Sequence, residues 1–270
     1  MTNRDDRTDT ERETMPSENN EDLSAVERIF GVYFSPVAAF RNIAKRPDFL
    51  TPLIVLSLIV IALTVVVLPR TMPIIESHTI AQMQETFAQS GTPESEQESA
   101  IQVTKSVVRV GSYIGAVIGV PITLAVTWLL TSALIFFIAM FQGLEADFKR
   151  LLGVIPWISF VAVLSQIAQT VLTMTREITS FEQIQDMRFM RPYSLVGLVP
   201  GSVDLPAWQE FLLAAIDPFF IWSIFVMVLA LEAANKCSRS QATVTTIIAT
   251  IISLATTTAI AVVGAALQPQ

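Results

Sequence analysis

Residues 110–144 carry no charged side chain, and the rest of the chain is arranged around this run. A helix of that length rises about 1.5 Å per residue and reaches about 52 Å. The hydrocarbon core of a bilayer is ~30 Å thick. The run therefore crosses a membrane and continues past it, kinked or tilted at Pro121, a residue that membrane helices tolerate when neighbours satisfy the freed carbonyl. The same alternation of long apolar runs and polar intervals predicts five spans, over residues 52–68, 111–141, 151–174, 218–234 and 243–267. The fold class is an all-α, polytopic membrane helix bundle with five transmembrane helices. Between the first two spans the chain is polar, with Glu76, Glu85, Glu94, Glu96 and Glu98, and Gly91, Thr92 and Pro93 divide it into two amphipathic pieces. A short charged loop, 142–150, precedes the third span. Residues 176–205 form a second large loop, where Pro192, Gly197, Pro200 and Gly201 mark irregular backbone.

Ahead of the spans the pattern changes to helical amphipathicity. Leu23, Val26, Ile29 and Phe30 recur at helical spacing. Ser35 and Pro36 then read as an N-cap followed by proline at the first helical position, with Val37, Phe40 and Ile43 on one face and Arg41, Lys45 and Arg46 elsewhere, until Pro47. Residues 23–47 are thus two amphipathic juxtamembrane helices. They suit either the headgroup layer or a docking place on the protein's own cytoplasmic side. Residues 1–22 are poor in apolar residues and read as a disordered acidic tail, which leaves 48–267 as the membrane domain.

Within the spans, three patterns are candidates for packing or function. Gly111, Gly115 and Gly119 share one face, as do Ala249, Ser253, Thr257 and Ala261, and small residues at four-residue steps let helices approach closely. The glycine face is expected to pack inside the chain in preference to forming a homodimer. Gln166 and Gln169 lie inside the third span, where amides commonly hydrogen-bond to a neighbouring helix. The sharper alternative places them on a transport path. A short helix is expected over 206–216, then a break, after which Asp217 caps a new helix with Pro218 at its first position. Trp222 follows one turn on.

Composition agrees with the pattern: 52% of residues are hydrophobic, 15% are charged, and mean hydropathy is +0.55. The formal net charge of −7 arises largely in the tail. One cysteine, Cys237, excludes an internal disulfide, and the lone histidine, His78, has no other histidine or cysteine near it and reads as a surface residue. There is no glycine-rich phosphate loop, zinc-like spacing or paired carboxylate in an apolar segment. The expectation is a protein that is not an enzyme, with no cofactor and no metal. Arg41, Lys45, Arg46, Lys149, Arg150, Lys236 and Arg239 flank the spans in short segments on one side, which predicts a cytoplasmic N-terminus and a C-terminus on the opposite side.

The order of these features resembles the Yip (Ypt-interacting protein) domain family of five-span membrane proteins, in its bacterial branch. The resemblance covers roughly residues 29–267. It rests on Phe34-Ser35-Pro36 with Phe40 and Pro47, on residues 48–52 as an echo of an Asp-Leu-x-Gly-Pro element with Thr51 in the glycine's place, and on Asp217-Pro218-Phe219-Phe220-Ile221-Trp222. Gly153 with Pro156 approximates the family's Gly-Tyr element. The resemblance implies an integral protein of the bacterial cytoplasmic membrane. Eukaryotic relatives are implicated in vesicle traffic and bind small Rab-type GTPases. The expected role is that of a non-catalytic membrane scaffold or organiser that binds partners. The competing class is a small transporter or permease component, with a path near Asp217, Gln166 and Gln169. Expected partners are the lipid bilayer, unidentified membrane or cytoplasmic proteins and a further copy of the chain, with no nucleic acid.

Overall fold

A computed structural model describes residues 23–266; the expected acidic tail and residue 267 of the last span lie outside the described residues. Among the described residues every regular element is helical. Helix α1 (Ala25–Phe34) begins with a reciprocal capping box in which Ser24 accepts from the Glu27 backbone N–H and the Glu27 carboxylate accepts from the Ser24 backbone N–H. These contacts satisfy two orphan donors of the first turn. Helix α2 (Pro36–Lys45) carries Pro36 at its first position, but Ser35 makes no side-chain cap, so the start relies on proline's fixed φ alone.

Helix α3 (Leu50–Ser90) has 41 residues and is about 61 Å long. Asp48 accepts from the backbone N–H of Leu50 and Thr51 and so fastens its first turn. The helix runs on beyond residue 68, where the first span is expected to end. Pro69 and Pro73 are passed without a break, because the carbonyl that Pro73 leaves unbonded is that of Pro69 itself and both gaps fall in one stretch. The helix stops only at Gly91, whose φ of 66° is left-handed and favours glycine. Helix α4 (Glu94–Ile114) returns alongside it, and a bidentate pair between Arg109 and Glu76, at 3.1 and 3.2 Å, clasps the two. The polar interval 70–109 is therefore a long helical hairpin that extends from the spans. A π-helical turn, Gly115–Gly119, joins α4 to α5 (Val120–Phe141). It sits directly before Pro121 and widens the helix where proline cannot donate and its ring crowds the preceding turn.

Asp147 caps α6 (Phe148–Thr175) through the N–H groups of Lys149 and Arg150. This helix, rather than the 110–144 run, is the centre of the bundle: 56% of its most apolar window is buried, against 28% for the helix that ends at Phe141. Leu151, Val154, Trp157, Phe160 and Val161 are all within 1% of full burial. Helices α7 (Phe181–Gln185), α8 (Met187–Met190), a 3₁₀ turn (Leu195–Leu198) and α9 (Ala207–Ala215) cover the end of the bundle beyond Thr175, where Arg176 donates to the Phe189 carbonyl. Helices α10 (Pro218–Asn235) and α11 (Arg239–Ala266) follow. Arg150 donates to the Ala234 carbonyl at 3.1 Å and closes the C-terminal end of α10. Among the described residues, five helices are long and apolar enough to cross a membrane: Leu50–Ser90, Glu94–Phe141, Phe148–Thr175, Pro218–Asn235 and Arg239–Gly264.

Candidate functional site

The sequence elements that precede the first span converge on α6. Pro47 lies against Gly153 so closely that a Cβ on that glycine would fall 2.3 Å from the proline Cβ. The Trp157 indole donates to the Asp48 carbonyl at 3.0 Å, and the Arg28 guanidinium sits over the same indole, 5.8 Å from its centroid. Tyr33 donates to the Phe160 carbonyl, and burial pushes its phenol above its ordinary pKa. Val32, Phe40 and Ile43 are buried in this joint. The docked reading of the amphipathic helices thus holds for one face. On the other, Val26, Phe30 and Phe34 are exposed, as a helix at the headgroup layer requires. Neither Arg28 nor Trp157 stands out in the sequence, because each looks like an ordinary polar or apolar position of its helix.

A second cluster forms where α9 gives way to α10. Asp217 is 5% exposed; its Oδ1 accepts from the Phe220 N–H at 2.7 Å and its Oδ2 from the Ser165 hydroxyl at 3.1 Å. Tyr193 in turn donates to the Ser165 carbonyl at 3.2 Å. The expected cap is present, and it is also a tie between α10, the middle of α6 and the covering loop. Ser165 lies roughly 26 Å along α6 from Phe148 at 1.5 Å per residue, so the carboxylate sits toward the far boundary of a ~30 Å hydrocarbon layer. Pro218 occupies the first helical position as expected. Trp222 is 37% exposed and packs on Phe225 at 5.4 Å between ring centroids, on the outer surface of the bundle.

Other candidates are dispersed. Gln166 and Gln169 are half-buried, and neither side chain makes a hydrogen bond to a described residue; the expected amide contact to a neighbouring helix is absent there. The glycine face is a clear correction. A Cβ on Gly111, Gly115 or Gly119 would meet no heavy atom within 4 Å, so among the described residues this face does not pack inside the chain. On α11, Ala249 is buried, but Ser253 and Thr257 are exposed and Ala261 is half-buried. Ala249, Ser253 and Thr257 line a side cleft of about 280 Å³ that Phe220 and Ile158 share. His78 stacks on Phe181 at 3.9 Å between ring centroids and fastens α7 to α3.

Compared with known protein families, residues 30–260 match the model of the Yip1 domain. No curated protein and no solved structure matches the chain.

Proposed function

Because the chain belongs to the Yip1 domain family and holds five helices long and apolar enough to cross a membrane, we propose that it is a non-catalytic scaffold of the bacterial cytoplasmic membrane. It acts through helix contacts, first of all with a second copy of itself. One observation carries this reading. On α4, Val103, Val107, Val110 and Ile114 are all more than half exposed and alternate in steps of four and three, the spacing of a two-stranded coiled-coil seam, and Val117 in the π-helical turn that follows is exposed as well. The first two lie on the hairpin beyond the apolar run, where an uncovered valine faces water. The exposed glycines Gly111 and Gly115 lie along the same helix, and close approach there would extend the contact into the bilayer.

The occupied state of Asp217, held by Ser165 and Phe220, supports this role over a transport path through that carboxylate. The cations Arg41, Lys149, Arg150, Lys236 and Arg239 gather at the end that carries α2 and the two short turns, which supports a cytoplasmic N-terminus. A photo-crosslinking residue at Val103 or Val107, in cells that hold two differently tagged copies, tests the reading. Crosslinks between the tags at both positions, and none at half-buried Thr104, are expected. Equal yields at all three positions, or no crosslink between tags, would refute it.

A further inference from the structure

Where α5 turns into α6 and α10 into α11, the two turns enclose a pocket of about 460 Å³, lined among others by Glu145, Asp147, Arg150, Asn235, Lys236 and Cys237. Asn235 is 6% exposed, and neither its amide nitrogen nor its amide oxygen has a hydrogen-bond partner. Buried polar atoms are nearly always paired, and an orphaned amide costs about 1–3 kcal/mol. The next residue, Lys236, has a φ of 50°, the one non-glycine residue with positive φ among those described. Glycine is the ordinary choice at such a helix end, so a lysine there holds strain of about 1–2 kcal/mol. Neither Lys236 nor Arg150 forms an ion pair with a described residue, and the Arg150 guanidinium donates to the Ala234 carbonyl alone among the described residues.

The pocket therefore gathers two cations, two carboxylates and a buried group that wants one donor and one acceptor at once. We infer that it binds the phosphoethanolamine headgroup of a zwitterionic phospholipid. The phosphate accepts from Arg150, Lys236 and the Asn235 amide nitrogen, and the primary ammonium donates to the Asn235 oxygen and to Glu145. A quaternary ammonium has no N–H to give the amide oxygen. An anionic glycerol headgroup would set its negative charge against the carboxylates without a compensating ammonium. The turns that build the pocket join membrane spans and so lie at headgroup depth. A neighbouring cleft of about 280 Å³ shares Lys236 and Cys237 and adds Arg41 and Glu232 beside the apolar side chains of Val37, Leu229 and Ala233, a strip along which the attached chains can leave. That cleft argues for the lipid as the source over the free headgroup.

Cys237, the single thiol of the chain, lines the pocket and reports on its occupancy. The full chain is placed in phosphatidylcholine nanodiscs, and maleimide labelling of Cys237 is timed with phosphatidylethanolamine added, with phosphatidylglycerol added, or with soluble phosphoethanolamine in the buffer. A several-fold slowing by phosphatidylethanolamine alone is expected. Asn235→Leu keeps the branching and removes the unpaired amide, and Lys236→Gly removes the ammonium and relieves the backbone; both are expected to stay folded and to lose the slowing. Protection by both lipids alike would mark a bilayer effect and overturn the proposal. Protection by soluble phosphoethanolamine without the lipid overturns the lipid as source. Protection that persists in Asn235→Leu overturns the site.

Discussion

Gly153→Ala strikes the joint between the N-terminal helices and α6 at its tightest point. The new Cβ would lie 2.3 Å from the Pro47 Cβ and 2.8 Å from its Cα and carbonyl carbon, where real contacts stay beyond 3.0 Å. The obstacle is backbone, so no rotamer can yield. Overpacking of this kind costs about 1–3 kcal/mol. The shift that relieves it also lifts the Asp48 carbonyl away from the Trp157 indole, now at 3.0 Å, and loss of that bond adds about 1 kcal/mol. A destabilisation of about 2–4 kcal/mol is therefore expected. Titration of the detergent-solubilised protein with a denaturing detergent, followed by tryptophan fluorescence, measures it, because Trp157 itself reports on the joint. Gly115→Ala is the internal control: nothing lies within 4 Å of its Cβ, so no loss of monomer stability is expected. If Gly153→Ala unfolds with the wild type, or if Gly115→Ala is equally harmful, the account of this joint is wrong.

Three further outcomes follow from the same geometry. Asp217→Asn keeps a capping oxygen and should cost less than about 1 kcal/mol, whereas Asp217→Ala strands the Phe220 N–H and leaves the Ser165 hydroxyl only Tyr193 as a partner and should cost about 1–3 kcal/mol; denaturant midpoints separate the two. Burial, and secondarily the nearby Glu232 carboxylate, raises the Cys237 thiol above its ordinary value, so its alkylation by iodoacetamide should be slower than that of a free thiol at mildly alkaline pH and converge only at higher pH. The backbone N–H and then the hydroxyl of Ser24 hold the Glu27 carboxyl below its usual range. The contribution of the capping box is thus complete above the ordinary glutamate value and lost as pH falls through the lowered one. The difference in hydrogen-exchange protection of α1 between wild type and Glu27→Ala should disappear on acidification.

What could be read from the chain alone is what local chemistry decides. The capping of α10 by Asp217 needs only the carboxylate, the proline after it and the turn that follows. The apolar runs announce themselves because lipid forbids charge. The centre of the bundle is harder to read: 110–144 is the longest uncharged run, yet the protein leaves much of its surface uncovered, while α6 is shorter, carries Lys149 and Arg150, and is buried. A bilayer rewards apolar residues on either side of a helix, so hydropathy does not tell lipid from protein as a neighbour. The same blindness explains the two kinds of glycine. Gly115 lies in a recognisable repeat and meets nothing, whereas Gly153 lies in no repeat and meets a proline far upstream in sequence. Trp157 and Asp48 stand 109 residues apart, and no periodicity carries that distance.

That separation sets an order of events during synthesis. Helices α1 and α2 leave the ribosome before the later helices that pack on α2, which are α6 and α10, and α10 ends only at Asn235. Until α6 is made the two amphipathic helices have no protein to cover them, and their place is the membrane surface beside the insertion site. Once α6 is released, Pro47 can seat on Gly153, and only after α10 can Arg150 close the last turn at Ala234. The two helices are thus fastened by what is made after them, and a chain truncated before α6 would leave them lying in the headgroups.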